Sequence, residues 1–326
     1  MKQKWIGILS GLLLVQLVLA VAINRSSDEY GAFQPKQKLL AFDKAAVDGL
    51  RIEDGSTQVA LERVKGHWQL PKEQGFPADQ AGVEALLKKL AALDKGWPVA
   101  TSASATRRFK VAKDRFERRL TLLSGDQTLA QLYVGSSPGY RKVYVRPAGE
   151  QAVYSVPFNS WEASAKETDW IDKGLLSLDA KGIVAIELPG IELQRQDKQW
   201  RLADQGKDEK LAKDAVERLV RQLSGLRIEA PAVKQKLPEK PLLEVKVTRK
   251  QGDPLNYRFY QDQQGKDYIV QRSDIEWPCK LAQYNVKPLL EAHRDKLLQQ
   301  TPQPQPAQAK RPTTEKQTPA KQSNSS

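Results

Sequence analysis

The chain has 326 residues, which is enough for two ordinary domains that each bury a core of their own. Hydrophobic residues make up 40% and charged residues 28%, a globular composition that excludes a fully disordered or fully membrane-embedded chain. The formal net charge is +13, but basic residues are interspersed with acids and form no run interleaved with aromatic residues. We therefore expect a solvated surface and no nucleic-acid partner.

The N-terminus predicts a membrane anchor. Two lysines precede an uncharged stretch from Trp5 to Ile23, and an acidic pair follows it. A helix needs about 20 residues to cross the hydrocarbon core, and positive charge on the N-terminal side favours an N-inside orientation. The alternative is a cleaved signal peptide, because residues 20–22 have a small-x-small pattern. We expect a retained single-pass anchor over residues 1–27 in the inner membrane, with the bulk of the chain in the periplasm.

Two later stretches share one pattern, and Trp68 and Trp200 mark corresponding positions in them. Before each tryptophan, apolar and polar residues alternate as in a half-buried strand that ends at the tryptophan, and a shorter strand precedes it. Each copy therefore begins with a predicted β-hairpin. After a polar loop, apolar residues at helical spacing predict a helix that lies on a sheet. These residues are Val83, Leu86, Leu87, Leu90 and Leu93 in the first copy and Val216, Leu219, Val220, Leu223 and Leu226 in the second.

Each predicted helix is followed by four predicted strands and a closing segment. Gly125–Asp126 and Gly252–Asp253 mark corresponding turns between the first two of these strands. The sequence thus predicts an α+β fold, with two tandem copies of a β-hairpin–helix–antiparallel-meander unit after an N-terminal transmembrane helix. Trp68 and Trp200 are predicted to be structural anchors of the repeat, each pinning helix to sheet through its large apolar area.

The same pattern divides the chain. Residues 28–180 are predicted to form the first α+β repeat and residues 181–299 the second. Residues 300–326 are rich in Pro, Gln, Thr and Lys and have no apolar periodicity, so they are predicted to be a disordered tail.

No residue pattern identifies a reaction. One cysteine and two histidines provide neither an intrachain disulfide nor a metal cluster, and we interpret Cys279 as a small buried apolar side chain. The glycines at 135–139 lack the features of a phosphate-binding loop, and the chain has no Gly-x-Ser-x-Gly elbow. Two tryptophans that flank acids at 161–170 fit an aromatic-anchored loop better than a sugar or peptide cleft. We expect no enzyme activity, no cofactor and no metal.

The repeated motifs resemble those of a bacterial family, the domain of unknown function 4340. They are "W-x-L", then "AD-x-x-x-V-x-x-LL-x-x-L-x-x-L", and later "DK-x-LL", and the resemblance covers roughly residues 40–300. These are packing motifs, so they indicate a fold and carry over no catalytic residue. Members of that family commonly occur beside ABC-2-type permeases and a gliding-motility-type auxiliary subunit. The resemblance therefore implies an accessory protein of such a system.

Three functions are open at this point. The first is a membrane-tethered extracytoplasmic interaction protein whose partner is an ABC-type permease or auxiliary subunit. Tethering would raise the effective concentration of the repeats near that partner. The alternative is a periplasmic binding module for an envelope polymer, either peptidoglycan or polysaccharide. The third is an enzyme with an unrecognised site, which predicts a polar cleft with clustered acids between the repeats.

Overall fold

The computed structural model describes residues 13, 15, 16, 37–197 and 199–299. It is an α+β protein with two large antiparallel sheets and few helices, which confirms that part of the predicted fold class. The predicted anchor residues Trp5 and Ile23 and the predicted tail lie outside the described residues. Within the described part of the chain, no helix is both long enough and apolar enough to cross a membrane.

The first half of the chain forms an eight-stranded sheet and a small separate hairpin. Its strands are β1 Gly49–Glu53, β2 Gln58–Val64, β3 His67–Leu70, β4 Phe76–Pro77, β5 Val111–Ala112, β6 Arg115–Phe116, β7 Arg118–Ser124, β8 Gln127–Val134, β9 Val143–Pro147 and β10 Tyr154–Val156. The order in the large sheet is β10-β9-β8-β7-β1-β2-β3-β4, while β5 pairs with β6. The initial hairpin and the later meander thus join through β1 and β7 in the middle of the sheet.

The second half forms another eight-stranded sheet. Its strands are β11 Ile183–Leu188, β12 Ile191–Gln196, β13 Gln199–Leu202, β14 Ala230–Pro231, β15 Leu243–Arg249, β16 Leu255–Gln261, β17 Tyr268–Arg272 and β18 Cys279–Leu281. The order is β13-β12-β11-β15-β16-β17-β18-β14, so the hairpin and meander again join in the middle, through β11 and β15. The two sheets differ at one edge, because β4 covers β3 in the first sheet whereas β13 is an edge strand in the second.

The helices follow the predicted stripes. The described residues form α1 Gln80–Ala92, α2 Ala103–Arg108, α3 Lys213–Ser224 and α4 Gln283–Leu290. Short 3₁₀ turns occupy Lys44–Ala46, Pro71–Glu73, Ser160–Ala163, Glu167–Asp169, Ala180–Gly182 and Arg294–Leu297. All ten residues of the two predicted apolar stripes are buried, which confirms the faces that α1 and α3 turn to the core.

The segment before each tryptophan differs from the prediction of one continuous strand. In the first copy, β2 ends at Val64, and the chain reverses at Lys65 and Gly66 before β3 begins. Both turn residues have positive φ, 50° and 86°, which matches the right-handed twist of a tight two-residue hairpin. Asp197, with φ of 47°, follows β12 in the corresponding place. The prediction was wrong because Lys-Gly is a weaker turn signal than Asn-Gly or Asp-Gly.

One apolar core runs across both sheets. At the contact between them, the rings of Phe76 and Trp277 lie 5.9 Å apart in an edge-on arrangement. The Trp277 indole Nε1 also donates a hydrogen bond of 2.9 Å to the Gln74 carbonyl oxygen. Arg272 donates from its buried guanidinium to the carbonyl oxygens of Leu175 and Leu176, which holds the connecting segment on the second sheet.

Candidate functional site

The two tryptophans predicted as repeat anchors have different surroundings. Trp68 lies on β3 and is 1% exposed, at the centre of the core of the first sheet. Trp200 lies on β13 and packs against the core, but it is half-buried and on an edge strand. The two residues occupy corresponding positions in the repeated motif, yet only Trp200 lies on an edge strand and is partly exposed. We therefore take the surroundings of Trp200 as the candidate site.

In the first sheet, the backbone N–H and C=O of Trp68 are both bound within the chain. The Trp68 backbone N–H donates to Gln80 Oε1 at 2.7 Å, and Gln80 Nε2 donates to the Trp68 carbonyl oxygen at 2.7 Å. The backbone N–H of Ala78 donates to the same carbonyl oxygen at 3.0 Å. The first residue of α1 thus clamps the backbone of β3 at the tryptophan.

The side chain of Trp68 is held in a similar way. Its indole Nε1 donates to Glu84 Oε1 at 3.2 Å, and the Arg63 guanidinium lies 4.7 Å from the centre of the ring. Glu84 also accepts from Arg63 and, at 3.0 Å, from Lys44 Nζ. The hydrogen bond from Lys44 is the largest of several contacts that hold the pKa of Glu84 below its usual value. The carboxylate therefore stays charged between two cations, and the space beside Trp68 is closed.

In the second sheet, the corresponding clamp is missing from the sequence. Lys213, the first residue of α3, corresponds to Gln80, the first residue of α1. Ala212, which precedes α3, corresponds to Asp79, which caps α1. The Ala203 backbone N–H bonds to the Glu192 carbonyl oxygen, which fixes the alternation of the β12–β13 ladder. In that alternation Trp200 is in a non-hydrogen-bonded pair, so its N–H and C=O point to the outer edge of β13. No described residue bonds to either group there.

A cavity of about 800 Å³ opens beside this edge, and we call it the Trp200 groove. Six cationic side chains and one acid line it, together with Trp200 and the apolar residues of α3. The charged lining residues are Lys181, Arg195, Arg201, Lys210, Lys213, Arg221 and Glu217. The Arg195 guanidinium lies 5.8 Å from the centre of the Trp200 ring, as Arg63 lies over Trp68. The groove therefore combines an aromatic wall with a strong excess of positive charge.

The acid of the groove does not take up the role that Glu84 has in the first sheet. Glu217 forms ion pairs along its own helix, at 3.9 Å to Lys213 and 3.5 Å to Arg221. These pairs are exposed and are each worth a fraction of a kcal/mol, ~0.3–0.5 kcal/mol for helical neighbours. In addition, the buried Gln205 Oε1 accepts no hydrogen bond from the described residues. The groove thus keeps unbalanced positive charge.

One wall of the groove is a loop that Arg294 holds in place. The Arg294 guanidinium donates to Glu209 at 2.6 Å and to Asp204 at 3.1 Å, across the base of the loop that carries Lys210. This contact lowers the pKa of Glu209 to about 2, because the side-chain hydrogen bond from Arg294 favours the charged carboxylate. The loop is therefore pinned at neutral pH.

The remaining residues considered from the sequence, which include Cys279 and the tryptophans at 161 and 170, are not among the lining residues of the Trp200 groove. Cys279 is fully buried, as predicted, and burial raises the pKa of its thiol to about 12. Within the residues that the structure describes, no three His, Cys, Asp or Glu side chains are placed to hold a metal ion. In the 161–170 segment Trp170 is buried whereas Trp161 is exposed.

The chain matches a known protein family. A family model described as a domain of unknown function, DUF4340, matches residues 68–246, more than half of the chain. The chain belongs to the DUF4340 family. This confirms the resemblance seen in the packing motifs, and the matched region of this DUF4340 protein includes every lining residue of the Trp200 groove. No curated protein and no solved structure shows a significant match to it.

Reasoning from the sequence missed the groove, although a signal for it was present. The aligned copies differ at the start of the helix, where Asp79 and Gln80 in the first copy correspond to Ala212 and Lys213 in the second. Loss of the cap and of the clamping amide at one tryptophan is the difference that opens the edge. The residues that the copies share are buried packing residues, whereas the residues at the helix starts differ between the copies.

Proposed function

We propose that this DUF4340 protein is a membrane-tethered extracytoplasmic accessory protein that acts by binding a partner protein rather than by catalysis. The Trp200 groove carries the proposal, because it combines open backbone groups, an aromatic wall and unbalanced positive charge. Surfaces with buried aromatic and arginine side chains supply most of the energy in protein interfaces.

The proposal includes the tandem architecture. Both sheets join an initial hairpin to a later meander in the same order, with an apolar helix stripe between them. This supports two tandem copies of one unit, the first keeping a closed edge at Trp68 and the second offering an open edge at Trp200. In this arrangement the first copy is a structural support and the second is the binding copy.

The location and the partner are further parts of the proposal. The apolar stretch from Trp5 to Ile23 supports a single-pass anchor in the inner membrane, with the two sheets in the periplasm. The association of the family with ABC-2-type permeases supports an ABC-type permease or auxiliary subunit as the partner. A tethered protein needs only modest affinity for such a neighbour, because the tether raises its local concentration.

Photo-crosslinking in intact cells tests the proposal. A benzophenone amino acid replaces Arg201 on the open edge in one variant and Asp126 in an exposed turn of the first sheet in the matched control. We expect position 201 to crosslink a membrane protein, identified by mass spectrometry as a permease or auxiliary subunit, and position 126 not to do so. Identical products at both positions, or no protein product at position 201, would refute the interaction role.

The alternative is binding of an envelope polymer, and the excess of cations in the groove favours an acidic one. It predicts that position 201 crosslinks polysaccharide or peptidoglycan, and that digestion with a polymer-specific hydrolase collapses the product to the size of the free chain. A product that keeps its mass after digestion would count against this alternative.

A further inference from the structure

We infer that the Trp200 groove binds an extended acidic peptide segment of the partner, which pairs with the outer edge of β13 as an added strand. This inference rests on the proposed function, since it names the chemistry that the same groove recognises. Three observations support it. They are the outward-pointing backbone groups of Trp200, the charge of the groove, and the way in which β4 and Gln80 cover the corresponding edge of the first sheet.

The first sheet shows what fits against this kind of edge. There β4 pairs with β3, while Gln80 and the Ala78 backbone bind the N–H and C=O of Trp68. The same backbone groups of Trp200 point outward to the groove. An extended peptide presents an N–H and a C=O at the spacing that such an edge requires, which is the basis of recognition by strand addition.

The side chains of the groove select for acidic peptides. Six cations against one acid leave a strong positive field, which attracts carboxylates and rejects basic segments. Because residues of a strand alternate between two faces, an apolar side chain of the peptide can lie against the exposed part of Trp200 while carboxylates near it reach Lys210 and Lys213. The preferred peptide therefore alternates acidic and apolar residues.

Two other occupants fit the charge poorly. The described chain ends beside the groove, where the Gln299 backbone N–H donates to the Lys210 carbonyl oxygen at 2.8 Å. Residues 300–326, which follow, carry four Lys or Arg and one Glu, so they share the sign of the groove. A second copy of the chain would bring two cationic edges together, a device that proteins use to keep edge strands from pairing.

Peptide titrations on the full chain in neutral phosphatidylcholine nanodiscs test the inference. The probe is a fluorescein-labelled nine-residue peptide in which Glu alternates with Val around a central Phe, and its control has Lys in place of Glu. We expect saturable anisotropy changes with the Glu peptide and at least tenfold weaker binding of the Lys peptide. Two N-methylated Glu peptides, one for each edge of the peptide strand, separate strand pairing from charge attraction. One of them should lose binding at least tenfold and the other should keep it.

Three variants of the chain complete the test. Arg195→Glu with Lys213→Glu should weaken the Glu peptide at least tenfold, whereas the matched double reversal Arg141→Glu with Lys142→Glu in the first sheet should not. Lys213→Gln, which introduces the clamp residue of the first sheet, should weaken binding about as much by closing the edge. Circular dichroism on each variant verifies that the fold is kept.

Several outcomes would overturn the inference. They are no saturable binding, equal binding of both N-methylated peptides, or equal loss in both double reversals. Binding that appears only after residues 300–326 are deleted would assign the edge to the chain's own tail. A dimer that Arg195→Glu with Lys213→Glu dissociates would assign it to a second copy. A protein crosslink at position 201 without peptide binding would leave the interaction role standing and refute the acidic-strand chemistry alone.

Discussion

The clamp at Trp68 gives the sharpest test of how the closed edge is stabilised. Gln80→Ala removes three hydrogen bonds, two of 2.7 Å to the Trp68 backbone and one of 2.9 Å to the Ala78 carbonyl oxygen. The Trp68 carbonyl oxygen keeps its bond from the Ala78 N–H, but the Trp68 N–H loses its partner. A net hydrogen bond is worth about 1 kcal/mol, and a buried donor left without a partner costs about 1–3 kcal/mol.

We therefore expect Gln80→Ala to lower the free energy of unfolding by about 2–4 kcal/mol, the upper part applying if water does not reach the vacated space. The assay is urea unfolding followed by tryptophan fluorescence and far-UV circular dichroism, with the slope of free energy against urea compared to show that compactness is unchanged. Gln194→Ala is the matched control, because Gln194 is exposed on β12 and its side chain bonds to that of Glu192. If Gln80→Ala costs no more than this control, the clamp does not stabilise the edge.

Two other predictions follow from the second sheet. Ala212→Asp should raise the free energy of unfolding, measured with urea, by about 1 kcal/mol. The reason is that the backbone conformation of Ala212 matches that of the cap residue Asp79, while α3 has no side-chain cap. The same change at exposed Ala203 is the control and should give no gain. Burial raises the pKa of the Cys279 thiol to about 12, above its usual value of 9.0, so the stability that the neutral thiol provides is complete below pH 9 and is lost as the pH rises towards 12. Between pH 8 and 10.5 the parent chain should lose about 2 kcal/mol more than Cys279→Ala in denaturant titrations, at about 1.4 kcal/mol per unit of pKa difference, and equal losses would contradict the assigned burial effect.

The parts of the fold that were predictable are those that local patterns determine. The helical spacing from Val83 to Leu93 located α1 and its buried face, and Gly125–Asp126 located the β7–β8 turn, because both signals are complete within a few residues. The turn at Lys65 and Gly66 was missed, since its residues adopt positive φ without the usual turn sequence.

The candidate site was out of reach for a different reason. Whether Trp200 is a core residue or a groove wall depends on what binds its backbone, and the responsible residue lies 12 or 13 positions further along the chain. A single tryptophan motif does not contain that information. The register of β13, the start of α3 and the absence of a clamping amide had to be seen together in three dimensions.

The shared core determines whether the two halves of this protein can exist apart. The family match begins at Trp68 in β3 and ends at Lys246 inside β15, so it cuts both sheets and leaves out strands from each. Phe76 and Trp277 lie in opposite halves of the chain yet pack together. Arg272 in the second sheet donates hydrogen bonds to the segment that connects the two sheets. Separating the two halves would expose apolar surface on both of them. We therefore expect neither sheet to be stable without the other.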